Sequence, residues 1–339
     1  MMNKKSVKVM FTDMWKSFNI NHADYYFEWR MMSKNWAPEL SNDPEFLFFS
    51  CFGNEHLKYD CIKIFYTPEN VRPNFNVCDY SFSYDYPITD RNYRLPLYRR
   101  WAGYKELLKL RDPEKIISEN RKFCNILISN ANAKERVKFF NLLSRFKKID
   151  SGGGYLNNIG YRIKKGVDNK LNWMKNYKFS ITFENSTYPG YTTERLMHAL
   201  LTNTIPIYWG NPLASLDFNP KAFINCHDYA SFEEVIELIM EIDNNDALYL
   251  EYLSQPFLLN NVETEFCREE NIVGRFNEIL SGKKSFISHY QRWVQKRTYF
   301  GYKIKDRILW FYRKLIIYIK EILKRIKKIF FRDDNITKV

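Results

Sequence analysis

Paired thiols, phosphate loops and long apolar runs are all missing from this 339-residue chain. Its six cysteines, Cys51, Cys61, Cys78, Cys124, Cys226 and Cys267, lie far apart with no C-x-x-C pair. That spacing excludes a zinc ribbon, a dithiol redox centre and a small disulfide-stapled scaffold, so reduced, mostly buried thiols are expected. The run Gly152-Gly153-Gly154 invites a phosphate-loop reading, yet neither G-x-G-x-x-G nor G-x-x-x-x-G-K-[ST] can be written through it. A tight turn with positive φ is the expected role, and no site residue is assigned there. No stretch approaches the ~20 uncharged residues that span a bilayer. Met1 to Met10 carries lysines and then leads into Phe11 without the apolar run of a signal peptide, so secretion is not expected. No D-x-D triplet occurs.

What the chain does have is a core and an uneven charge. At 45% hydrophobic content and this length it can fold as about two domains. The net charge is +13, and residues 303–332 alone hold eleven basic and two acidic residues. Apolar positions such as Ile308, Leu315, Ile319, Ile322, Ile326 and Phe330 recur there at roughly helical spacing, with Trp310 and Tyr312 near the start. A basic amphipathic helix of this kind suits the headgroup boundary of an anionic membrane, lying on it and not crossing it. The alternatives are a basic helix packed on the body and a nucleic-acid contact; anionic lipid is the expected partner, and nucleic acid is not.

Along the body, Val7 to Phe11, Phe46 to Ser50 and Ile62 to Tyr66 read as strands, the last ending at Thr67-Pro68-Glu69-Asn70. A second α/β unit begins where the apolar strand Phe123 to Ile128 is followed by a helix-like segment, Ala133 to Phe146. The expected division is residues 1–118, residues 119–290 and a tail of residues 291–339. No internal repeat or low-complexity tract interrupts the body.

The most informative stretch is Phe179 to Gly210, FSITFENSTYPGYTTERLMHALLTNTIPIYWG. Phe179, Ile181 and Phe183 alternate with Ser180 and Thr182, and Glu184-Asn185 then Pro189-Gly190 break the pattern. Thr192 or Thr193 can cap a helix carrying Leu196, Ala199 and Leu200, and Ile205-Pro206-Ile207 resumes extended structure. In open parallel sheets, ligands bind beyond the carboxyl ends of strands, where helix starts point N–H groups at phosphate. Two such junctions each offer an arginine, Arg136 and Arg195, and a pair of guanidinium forks could neutralise a diphosphate leaving group. The alternative is two surface arginines on amphipathic helices. With no D-x-D clamp, arginines could replace the charge of a metal. This favours two facing Rossmann-like halves, the GT-B arrangement of sugar transferases, with the donor in the second half and the acceptor in the first.

This segment resembles the α-1,3/4-fucosyltransferases, especially the bacterial enzymes that act on surface polysaccharide. The similarity continues through Trp209-Gly210-Asn211-Pro212, Asp217-Phe218-Asn219-Pro220-Lys221, Phe223-Ile224-Asn225 and His227-Asp228. Upstream it includes FYTPENVRPNF (65–75), RLPLY (94–98) and SNANAKER (129–136), so it covers roughly residues 60 to 256. The resemblance implies that Arg136, Asn185, Tyr191, Glu194 and Arg195 bind GDP-fucose and that Glu69 is the general base. Arg136 and Arg195 would engage the diphosphate, although the family's usual residue at 195 is lysine; Tyr191 and Glu194 would help to hold the nucleoside. By pattern alone, Glu69 is a turn-forming surface acid.

The implied reaction is an inverting transfer of L-fucose from GDP-β-L-fucose to O3 or O4 of N-acetylglucosamine. An N-acetyllactosamine-type acceptor in a surface glycan or lipopolysaccharide precursor, a divalent metal as stimulant at most, and a peripheral location at the cytoplasmic face of the inner membrane complete the expectation. His198 and His227-Asp228 are expected to be structural, the latter because neighbours on a strand point to opposite faces. The competing readings are a GT-B transferase with another nucleotide sugar or acceptor, and a non-catalytic membrane-bound glycan-binding protein.

Overall fold

The computed structural model describes residues 4–129 and 131–330, with side chains through Lys324. Asn130 in the upstream SNANAKER stretch, residues 1–3 and the end of the basic tail at Arg332 lie outside the described residues.

The first half contains β1 (Lys5–Thr12), α1 (Phe27–Met32), β2 (Trp36–Leu40), β3 (Phe46–Phe49), β4 (Ile62–Phe65), β5 (Tyr80–Ser83) and β6 (Asn92–Arg94). Its six strands are all parallel, in the order β2-β1-β3-β4-β5-β6. Strand β3, Phe-Leu-Phe-Phe, is buried on both faces, as the inner strand of a parallel sheet must be. In β1 only Val7, Val9 and Phe11 turn fully inward. The expected strands at Phe46 and Ile62 thus sit side by side, and the turn holding Glu69 leaves the carboxyl end of β4.

The second half contains α2 (Pro113–Ile117), β7 (Lys122–Ile126), α3 (Lys134–Leu143), β8 (Ile149–Ser151), α4 (Val167–Met174), β9 (Tyr177–Ile181), α5 (Glu194–Leu201), β10 (Ile205–Tyr208), β11 (Ile224–Asn225), α6 (Phe232–Asn244) and α7 (Asp246–Ser254). Its five parallel strands run β11-β10-β9-β7-β8, and α3 and α6 close one core with Phe139, Leu143, Val235 and Ile239. Two parallel sheets with helices packed on them form the expected GT-B type of fold.

The expected division at residue 290 needs one correction. Helix α8 (Glu269–Gly282) returns to the first half: Ile272, Phe276, Ile279 and Leu280 join the core of Val9, Phe48 and Phe82, and Phe276 stacks on Phe82 with centroids 4.4 Å apart. Its apolar stripe matches the uncovered face of the first sheet, a tertiary match that chain order conceals. The glycine run also differs from expectation. None of Gly152, Gly153 and Gly154 has a positive φ. Close packing is the reason for the run, since a Cβ on Gly153 would lie 2.0 Å from the Ile128 carbonyl oxygen.

A buried ion pair joins the halves. Arg94, at the end of β6, reaches Asp217 through both Nη atoms at 3.0 and 2.6 Å, and both side chains are at most 3% exposed. RLPLY and the Asp217 segment, distant in sequence, are therefore partners in space. Breaking one side of a buried pair leaves the other charge uncompensated. Asp217→Asn is expected to cost about 3 kcal/mol, or roughly 4 °C in Tm. An unchanged melting curve would show that the pair contributes nothing net.

The last described element is α9 (His289–Phe330), a single helix of 42 residues. Its base is fixed to the first half. Buried Arg292 reaches Asp79 at 3.3 Å, Gln295 accepts from Lys63 at 2.5 Å, and Lys296 and Lys303 pair with Asp60 and Glu55 at 3.0 and 2.6 Å. From Ile304 to Lys324 every residue is exposed, Trp310, Phe311 and Ile316 among them. Among the described residues no helix is long and apolar enough to cross a membrane.

Candidate active-site cleft

The Phe179 to Gly210 stretch forms the strand, loop, helix and strand expected of it. After β9 the chain stays extended, with Thr182 and Glu184 N–H groups donating to the Ile207 and Trp209 carbonyls at 2.9 and 2.8 Å. Thr193 caps α5, its hydroxyl accepting the Arg195 N–H. The loop between presses on the first half at Gly190, where φ is +89° and a Cβ would lie 2.3 Å from the Tyr84 carbonyl oxygen. Only glycine fits a left-handed position that tight. Buried Asn211 fixes the loop, accepting from the Gly190 N–H at 2.7 Å and donating to the Thr192 hydroxyl at 3.0 Å.

Arg136 and Arg195 converge beyond the carboxyl end of β9. Arg136, 5% exposed, donates to the Phe183 carbonyl at 2.5 Å, while its buried Nε has no partner among the described residues. Burial first, and then the neighbouring Arg195, lower its affinity for a proton to a pKa of about 10. Arg195 is a third exposed and places Nε 3.4 Å from Glu184 Oε2. Two guanidiniums held close together, one with a buried unpartnered donor, form a site that an anion would relax.

Glu194 lies in the first turn of α5, with Lys170 Nζ of α4 3.9 Å away. Burial works against its charge, but Lys170 and Arg195 outweigh burial and hold the carboxyl below its ordinary range. Lys170 also lies 3.0 Å from His198 Nδ1, and burial lowers the proton affinity of that lysine. Burial, helped by Lys170, brings His198 down to about 4, so it is neutral and packs edge-on against Trp101. Tyr191 is 2% exposed with its ring 5.0 Å from Tyr84, and burial raises its hydroxyl well above the ordinary range.

Glu69 faces Glu194 from the first half. A tight turn holds it: its N–H donates to the Thr67 hydroxyl at 3.1 Å and its carbonyl accepts from Val71 N–H at 2.7 Å. Its carboxylate has no hydrogen-bond partner among the described residues, and it lines a cavity of about 570 Å³ between the halves. Thr193 and Glu194 form the far wall; Trp15, Tyr26, Arg100 and Trp101 form the near one. Exposed Asn185 is the outlying member. It accepts from the Ser186 hydroxyl at 3.2 Å, and Ser186 in turn accepts from Asn70, next to Glu69, at 2.7 Å.

Three polar residues of the site were not singled out by sequence. Glu184 was read only as the end of a strand pattern. Lys170 and Arg100 had no local signal, since α4 and the turn at Arg100 meet the site only through the tertiary fold. His227 and Asp228 lie in a single 3-10 turn after β11 and not on a strand, and His227 Nε2 accepts the Gly210 N–H at 3.2 Å. Among the described residues no group of three or more His, Cys, Asp and Glu side chains could hold a metal ion.

Two parallel-sheet halves, one carrying paired arginines beyond its strands and the other an open carboxylate beyond its own, define a GT-B glycosyltransferase architecture. Residues 9–101 match the model of the alpha-(1,3)-fucosyltransferase FucT N-terminal domain, and residues 117–275 match that of the glycosyltransferase family 10 (fucosyltransferase) C-terminal region. The chain belongs to this fucosyltransferase family. The match reaches back to residue 9, well before the residue-60 start of the motifs recognised in the sequence.

Among its relatives is the alpha-(1,3)-fucosyltransferase FucT of Helicobacter pylori, 30% identical over 84% of this chain and 66% of that protein. This chain thus spans just under two thirds of that relative's length. The human 4-galactosyl-N-acetylglucosaminide 3-alpha-L-fucosyltransferase 9 is 30% identical over 38% of this chain and 35% of its own. A crystal structure of an alpha1,3-fucosyltransferase superposes with a TM-score of 0.74 at 28% identity, covering 84% of this chain and 93% of that one. One described with GDP-fucose gives 0.70 at 26% identity, covering 85% and 95%.

Proposed function

We propose that the chain transfers L-fucose from GDP-β-L-fucose to O3 or O4 of N-acetylglucosamine in an N-acetyllactosamine-type glycan, with inversion at the anomeric carbon. The observation that carries this reading is the single cavity shared by Glu69 of the first half and Thr193-Glu194 of the second. Arg136 and Arg195 take the diphosphate and stabilise the charge that builds on it as the glycosidic bond breaks. Tyr191 and Glu194 hold the nucleoside side, and Asn185 also contacts the donor. Glu69 accepts the proton of the attacking hydroxyl, leaving the sugar α-linked. Metal stimulation is not required by this scheme, because the arginines supply the positive charge.

The same reading gives α9 a task. Its exposed, interleaved basic and apolar residues are complementary to an anionic bilayer surface, which would hold the enzyme peripherally at the cytoplasmic face beside lipid-linked or lipopolysaccharide glycan precursors.

Purified protein with GDP-fucose and N-acetyllactosamine is expected to release GDP in step with a product heavier by one fucose residue, while GDP-mannose gives none. Turnover with GDP-mannose instead would favour another donor, and tight GDP binding without product would favour the binding-only reading. Arg195→Ala is expected to weaken GDP binding about ten- to a hundredfold, the loss of one charge-assisted contact. Calorimetry showing unchanged affinity would remove Arg195 from the donor site.

A further inference from the structure

Beside Arg195 lies a buried carboxylate that the scheme above leaves unused. Glu184 is 2% exposed, and its stem fills the space left by Gly210, where a Cβ would come within 2.4 Å of Glu184 Cγ. Its Oε1 accepts the Thr193 N–H at 2.8 Å, and the Thr193 hydroxyl lies 3.0 and 2.8 Å from its two oxygens. Oε2 is 3.4 Å from Arg195 Nε. Among the described residues, every hydrogen bond and ion pair of the Glu184 carboxylate is thus made to the cap of α5 or to the cation in its first turn. An arginine held through Nε keeps both Nη groups for a ligand.

We propose that Glu184 is a positioning residue for the donor diphosphate: it fixes Arg195 through Nε so that the Nη fork faces the phosphates, and it takes up a proton from solvent as the diphosphate binds. The proposal rests on the GDP-fucose reading. The charged and titratable groups around Glu184 are Arg195 and Glu194 on α5, Arg136 on α3, Lys170 on α4, Tyr191 in the loop and Tyr208 on β10. In the ligand-free site the three cations support its charge against complete burial. A dianionic diphosphate turns their field toward itself and adds a like charge beside a carboxylate that water cannot reach. Protonation relieves that conflict while Oε1 stays beside the Thr193 N–H and Oε2 beside Arg195 Nε.

The test is calorimetric titration of GDP-fucose without acceptor between pH 6 and 8.5, in buffers of differing ionisation enthalpy. The diphosphate of GDP-fucose is a diester with no proton to lose in this range, so any uptake belongs to the protein. Burial lifts the Glu184 carboxyl to about 7. Wild type is therefore expected to take up about half a proton at pH 7, with affinity falling up to about tenfold per unit above neutrality. Glu184→Gln, neutral and of the same shape, is expected to take up none and to bind equally well at both ends of the range. Glu184→Ala leaves the Thr193 N–H and Arg195 Nε without their partner and is expected to bind about tenfold or more weakly at every pH. A Gln variant with the wild-type uptake and slope, or wild type binding without uptake, overturns the proposal. No binding of GDP-fucose to wild type overturns the donor reading and the proposal with it. Should the Ala variant fail to fold, the wild type and the Gln variant decide alone.

Discussion

Glu69→Gln is expected to slow fucose transfer by about 10² to 10⁴-fold while leaving GDP affinity nearly intact. The amide has the shape of the carboxylate but cannot accept the proton of the incoming hydroxyl. The turn that carries Glu69 is held by main-chain contacts with Thr67 and Val71, and the carboxylate itself holds nothing among the described residues. On the proposed reaction, removing its charge therefore takes away chemistry and little structure. Steady-state rates with N-acetyllactosamine, beside GDP titration of the same preparation, make the comparison. Transfer at the parental rate would mean that another group takes the proton.

The second large effect is expected from the tail. A chain ending at Lys303 should lose sedimentation with anionic vesicles and still transfer fucose to a soluble acceptor at close to the full rate. Among the described residues the specific contacts of α9 with the body end at Lys303 and Glu55, and Ile304 to Lys324 are exposed throughout. Each lysine or arginine near an anionic surface contributes about 1 kcal/mol, and the apolar side chains among them add burial in the headgroup region. Vesicle binding that survives the truncation would refute the anchor, and transfer lost with it would give the helix a part in the body's stability.

The sequence made the local architecture of the second half legible because its signals are local. Alternating Phe179, Ile181 and Phe183, a threonine cap and the apolar face of Leu196 and Leu200 each specify a neighbour within a few residues. Arg136 and Arg195 could be placed on two helix starts by the same logic, and the structure brings those starts together. What stayed hidden was long-range. Arg94 and Asp217 each stood inside a recognised motif with no physical reason attached, since the reason for each is the other. Glu184 looked like the polar end of a strand because only the fold buries it. Lys170 reaches Glu194 and His198 from a helix with no motif at all. Glu69 owed its assignment to family resemblance, and no spacing rule could have set it across a cavity from Glu194.

The return of α8 to the first sheet has a practical consequence for building chimeras. The first half is assembled from both ends of the chain, with residues 5–94 supplying its strands and residues 269–282 supplying a helix that completes its core. A single crossover near residue 118 would pair one protein's sheet with another's covering helix, and Phe276 would meet a foreign Phe82. Exchange of donor specificity between relatives therefore calls for an insertion with two junctions, one before β7 and one ahead of α8. The grafted piece must also carry an aspartate that meets the host's Arg94.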